Sequence, residues 1–195
     1  MSANSDAELE IPETPGDVPY RDREDAWAHN LLTANGRPDD DDAVLELLDS
    51  KSELLSGAAS RLVGARGLEA GLPRLRELAA SPDDLLAVHA AAGLARLDPD
   101  AGREELKRVA ALPWQGAPGA IQAAGELARL GDPSAAPTVY AALDSDNPVL
   151  RSIAAKQLLF LADAREPQAR ERIEKLQTDA DDGLAAIART QLANL

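Results

Sequence analysis

At 195 residues, with 45% hydrophobic but only 3% aromatic side chains, the chain can bury one sizeable core of Leu, Ala, Val and Ile, residues that favour closely packed helices. Its formal charge of −14 gives no basic footprint for nucleic acid and argues against docking on an anionic membrane surface. The absence of cysteine excludes disulfides, thiolate metal sites and cysteine nucleophiles.

Most of the acidity sits at the front. Residues 1–42 hold 12 acidic and 3 basic side chains, whereas residues 43–195 hold 22 and 17. Residues 1–20 are polar and acidic and contain three prolines. They read as a disordered, solubilising tail, or as a segment that folds back with Ile11, Val18 and Tyr20 as anchors. Residues 21–195 read as one helical domain. No apolar run approaches the roughly 20 residues that span a bilayer, and no secretion signal opens the chain, so a cytoplasmic location is expected.

Residues 22–34 predict a first helix, capped by Asp22 or Asp25, with Trp27 and Leu31 as an apolar i, i+4 pair and Asn35-Gly36 as its stop. The run Asp39-Asp40-Asp41-Asp42 is expected to serve the N-terminus of the next helix, where carboxylates meet free N–H groups, rather than a cation.

A repeat follows. A large residue, a pair of small ones and a second large residue recur as Leu54, Ala58-Ala59, Leu62; Leu86, Ala90-Ala91, Leu94; Gly119, Ala123-Ala124, Leu127; Leu150, Ala154-Ala155, Leu158; and Leu184, Ala188-Arg189, Leu192. Successive copies lie 32, 33, 31 and 34 residues apart. This spacing gives each copy an apolar stripe with alanines where another helix approaches. A shorter amphipathic segment precedes each copy, the clearest being Leu72-Leu75-Leu78 and Leu106-Val109-Leu112. Asp98-Pro99, Asp132-Pro133, Asn147-Pro148 and Ser81-Pro82 read as helix starts, and Gly71 and Gly131 as helix ends. A two-helix unit cannot bury its apolar face alone, and stacking on its neighbours does so. The expected fold is all-α: a right-handed α-solenoid of about five helix pairs behind an N-terminal capping helix.

Asp132-Pro133-Ser-Ala-Ala-Pro137, Leu143, Asp146-Asn-Pro-Val-Leu-Arg151, Ala154-Ala155 and Leu158 together resemble a HEAT repeat of the short bacterial type found in phycobilisome lyases. Pro137 and Pro73, two periods apart, add to the resemblance, which covers roughly residues 43–195. It implies a binding scaffold, since such arrays mostly bind proteins. The arginine usual at the start of the inner helix occurs only as Arg151, and Leu55, Ala87, Ala120 and Ala185 fill the matching positions. The His-Glu pairs of the iron-dependent HEAT hydroxylases are missing.

No catalytic or metal-ligating set emerges, and no cofactor is expected. His29 and His89 stand in no ligand spacing. Thr178-Asp-Ala-Asp-Asp-Gly183 lacks the glutamate that closes a calcium loop and reads as an acidic cap. Gly64-Ala-Arg-Gly67 lacks the lysine of a phosphate loop.

What remains is surface. Positions five and one before, and two after, each second large residue form a stripe that includes Arg61, His89, Arg96, Gln122, Glu126, Arg129, Gln157, Phe160 and Gln191. This mixed polar ridge on the concave face, helped by Trp114 in the turn Pro113–Gly119, is the expected protein-binding surface. The expected function is a non-catalytic adaptor, monomeric or weakly self-associating, for a protein partner, with a basic partner favoured by the charge. A pigment-lyase-like modification factor and an immunity-type protein against a basic toxin are the alternatives.

Overall fold

A computed structural model gives the structure of the chain and describes residues 9–16 and 18–195. The expectation of a disordered tail therefore falls outside the described residues for positions 1–8 and 17. The described residues are helical, without strands. They divide into two compact units, the first ending at Gly102 and the second starting at Arg103.

The first unit opens with a segment that runs along its first helix, α1 (Arg23–Ala34). Glu10 and Asn35 exchange two hydrogen bonds at 2.9 and 2.8 Å, and the Trp27 indole N–H donates to the Pro12 carbonyl. Arg23 donates to the Gly16 carbonyl and lies 5.1 Å above the ring of Tyr20. Of the three anchor residues, Tyr20 is buried, Val18 half-buried and Ile11 exposed.

Four further helices complete most of this unit: α2 (Asp41–Leu47), α3 (Glu53–Arg66), α4 (Leu72–Ala79) and α5 (Asp84–Leu97). Asp40 accepts from the Ala43 N–H and so caps α2, as its place before an apolar run predicts. Ser52 and Asp83 cap α3 and α5 in the same way. Gly67 ends α3 in the left-handed region at φ 69°, which needs no Cβ. The expectation that Gly71 ends a helix is corrected: it lies in the 3-10 turn Glu69–Gly71 that leads into α4.

Helix α6 (Pro99–Ala110) crosses from one unit to the next and buries Leu106 and Val109. The second unit then holds α7 (Gly119–Arg129), α8 (Ala136–Leu143), α9 (Pro148–Asp163), α10 (Ala169–Leu176) and α11 (Asp182–Leu192). Asn147 and Asp181 cap α9 and α11. Asp181 thus fills the capping role read from the acidic stretch before the last helix.

Within each unit the long helices pack on one another and on short ones. In the first unit α3 meets α1, α2 and α5, and α4 meets α5. In the second, α9 meets α7, α8, α10 and α11. Leu86, Leu94, Leu150 and Leu158 are all buried, as their spacing requires, whereas at the ends of the array Leu54 and Leu192 are only half-buried and Leu55 is buried in place of Leu54. The long helices are buried over more than one stripe, however. From Leu55 to Gly64, every residue of α3 is buried.

The backbones of α3 and α5 come into near contact. A Cβ added to Gly64 would lie 2.6 Å from the Gly93 Cα, and one added to Gly93 would collide with the Ser60 carbonyl. Glycine at both positions makes this approach possible.

Candidate functional site

The ridge residues divide between the units and between two environments. In the first unit, Arg61, on α3, is 2% exposed. Its side chain faces α1, with Nε 3.6 Å from Asp25 and one terminal nitrogen 3.9 Å from Glu24. Another terminal nitrogen lies 3.4 Å from His89 Nδ1, which accepts when the ring is neutral and protonated on Nε2. Arg96 donates to both Asp25 carboxylate oxygens, at 3.1 and 2.6 Å, and to the Arg61 carbonyl. The Trp27 ring stacks beside His89 with centroids 6.5 Å apart. The structure therefore brings Arg61, His89 and Arg96 together, but as the seat of α1.

In the second unit, Gln157 and Phe160 are buried on α9 and Gln191 on α11. Gln191 is fully buried and donates to the Ala155 and Lys156 carbonyls of α9 at 2.8 and 3.2 Å. Gln157 lies against Gly125 of α7, where any Cβ would collide with its amide oxygen, and donates to the Ile153 carbonyl. Only Gln122, Glu126, Arg129 and Trp114 keep partial exposure. Arg129 lies 5.0 Å above the Phe160 ring, with Nε 3.6 Å from Glu126.

The expectation of an open polar ridge is accordingly corrected at Arg61, Gln157, Phe160 and Gln191. In four of the five copies the position before the second large residue points at the preceding long helix: Arg61 at α1, Gly93 at Ser60, Gln157 at Gly125 and Gln191 at Ala155; Glu126 instead keeps partial exposure beside Arg129. One residue is about 100° of helix, so the neighbour of a core leucine faces a second buried seam rather than solvent. Small or hydrogen-bonding side chains occupy that seam because backbones are close there.

A cleft that sequence reasoning missed lies in the second unit. Its volume is about 830 Å³. It is lined by the turn Asp144–Asp146 between α8 and α9, by Gln168 just before α10, and by Glu171, Arg172 and Lys175 of α10. Arg151, Thr178 and Asp179 close one end.

Arg151 donates to both Asp179 oxygens, at 3.1 and 3.0 Å. The Asp179 carboxyl is held below the ordinary carboxylate range, first by the Asp181 backbone N–H and then by Arg151. Arg172 lies 4.2 Å above the Tyr140 ring and 3.8 Å from Asp144. The Tyr140 hydroxyl in turn donates to Glu166. Lys175 forms no ion pair among the described residues. The signal in the sequence was the i, i+4, i+7 line of Gln168, Arg172 and Lys175 on one helix face.

Among the described residues, no group of three or more His, Asp and Glu is arranged to hold a metal ion, and no helix is long and apolar enough to cross a membrane. The arrangement offers charged and hydrogen-bonding groups along a surface.

No protein-family model matches the sequence, and no curated protein matches it at a significant level. Among solved structures, the chain is similar to the crystal structure of an engineered protein from a structural-genomics programme, at 16% identity over 92% of each chain and a TM-score of 0.46.

Proposed function

We propose that the chain is a non-catalytic protein-interaction scaffold, in which α2/α3, α4/α5, α6/α7, α8/α9 and α10/α11 continue as one right-handed HEAT-like α-solenoid capped by α1. The period of 31 to 34 residues supports the solenoid, as does the same long-helix seam within both units.

The observation that carries the binding role is the seat of α1. An amphipathic helix with an acidic first turn rests on two long helices, Asp25 engaging Arg61 and Arg96 and Trp27 lying against His89. The long-helix surface thereby receives a helix by charge pairing and aromatic contact, which are the means by which such arrays take a polypeptide partner. The acidic excess of the chain speeds association with a basic protein and makes that association sensitive to salt.

Two measurements test this. Solution scattering should give a radius of gyration clearly above the roughly 16 Å of a compact chain of this length; a value at that limit contradicts the solenoid. Affinity capture with the full chain as bait should lose its partner on charge reversal at Glu126 or Arg129, which keep partial exposure. Capture indifferent to both contradicts the assigned surface.

A further inference from the structure

The short helix beside the cleft, α10, has a counterpart in α4 of the first unit, and the two differ in charge. When the short helices are aligned on their last buried leucines, Leu78 of α4 and Leu176 of α10, Arg74 matches Arg172 and Glu77 matches Lys175. The acidic residue just after the preceding short helix matches as well: Asp49 after Leu48, and Asp144 after Leu143.

In the first unit the arginine is paired with two carboxylates. Arg74 is 2.9 Å from Asp49 and donates to Glu77 at 2.6 Å. In the second unit the corresponding carboxylate has drawn back to 3.8 Å, beyond hydrogen-bonding distance, and the second carboxylate is replaced by an ammonium. The same fold position thus holds one cation and two carboxylates in one copy, and two cations with a single loosely placed carboxylate in the other.

We infer that this cleft docks an extended polypeptide segment that sets an acidic side chain against Arg172 and Lys175 and a basic one against Asp146 and Glu171. The Arg172 guanidinium lies over Tyr140 with only the Asp144 carboxylate near it, at 3.8 Å, which leaves its N–H groups able to take a carboxylate, and Lys175 adds a point charge one turn along. Asp146 and Glu171 are without ion-pair partners among the described residues and oppose a polyanion, which favours a segment of mixed sign. Small-molecule sites are mostly apolar, whereas this cleft carries Ser145, Gln168 and Thr178 between its charges, groups that suit a peptide backbone.

The inference rests on the scaffold reading, naming what that scaffold grips. The test is fluorescence anisotropy of the full chain with a short labelled peptide that carries a central Glu-Lys pair. Binding should weaken by about tenfold or more with Lys175→Glu and with Arg172→Gln, and be unchanged with Arg74→Gln. Lys175 is exposed, so K175E keeps the fold even where R172Q loosens Tyr140. The peptide with Gln in place of Glu should not bind.

Absence of binding, equal loss with R74Q, or equal affinity for the Gln peptide overturns the inference. Full competition by inorganic phosphate would show a free-anion site and overturn the polypeptide assignment. A captured partner retained by K175E would sink this inference and leave the scaffold standing. Peptide binding by a chain that captures no partner would do the reverse.

Discussion

Gly64 of α3 and Gly93 of α5 face each other so closely that neither position has room for a methyl group. The contact fixes how far apart two long helices of the first unit can sit. Gly93→Ala should therefore destabilise the protein by about 1–3 kcal/mol through overpacking, lowering the melting temperature by roughly 2–4 °C per kcal/mol. Gly116→Ala, with open space around the position, should stay within about 0.5 kcal/mol of the parent. Thermal melts of both variants by circular dichroism check this.

Asp25 joins α1 to two arginines, and its carboxylate and Arg96 are both about three-quarters covered. A double-mutant cycle of Asp25→Asn and Arg96→Gln should give a coupling energy of about 0.5–2 kcal/mol, above the range of exposed pairs. Hydrogen exchange should show α1 opening more often in D25N while α9 is unaffected. A coupling near zero would mean that Trp27, Leu31 and Leu32 alone hold the helix.

Gln191 bonds two carbonyls of α9 from a fully buried position. Gln191→Leu leaves those carbonyls without this donor and should cost about 1–3 kcal/mol despite the gain in hydrophobicity. Chemical denaturation midpoints measure the loss.

Acid should weaken the protein in a defined window. Asp179 is held below its ordinary value by the Asp181 N–H and by Arg151, Asp98 by Arg76 and the Ala101 N–H, and Asp132 chiefly by Ser134 and Lys107. A carboxyl depressed in the folded state takes up its proton first in the unfolded chain. Its contribution is therefore complete above the ordinary carboxylate value near about 4 and is lost as pH falls through the folded value. Urea midpoints should drop between about pH 6 and about pH 3. Asp179→Asn should be less stable at neutral pH and show a smaller drop.

The period, the caps and the inward-facing leucines were legible because each depends on neighbours within a few residues. Asp40, Asn147 and Asp181 each cap the helix whose start their position marks. The seam was not legible, because a single-stripe reading assigns the residue beside a core leucine to the surface. Gln157 and Gln191 are polar, and nothing local shows that their amides meet carbonyls or a glycine on another helix. Nor could a separation of 71 residues show that Asp25 would meet Arg96. The cleft is marked in the short helices, where Glu77 and Lys175 differ in sign at matched positions, and not in the long helices that carry the repeat.

The seam is the central claim, and the absence of cysteine makes it directly measurable. Single cysteines placed at Gln157, Gln191, Lys156 and Lys175 each report on one position, through their rate of reaction with a maleimide in the native protein. At the exposed positions of Lys156 and Lys175 labelling should approach the rate of the unfolded chain, and at Gln157 and Gln191 it should be slower by about a hundredfold or more, limited by opening of the helix stack. Equal rates at all four positions would contradict the account.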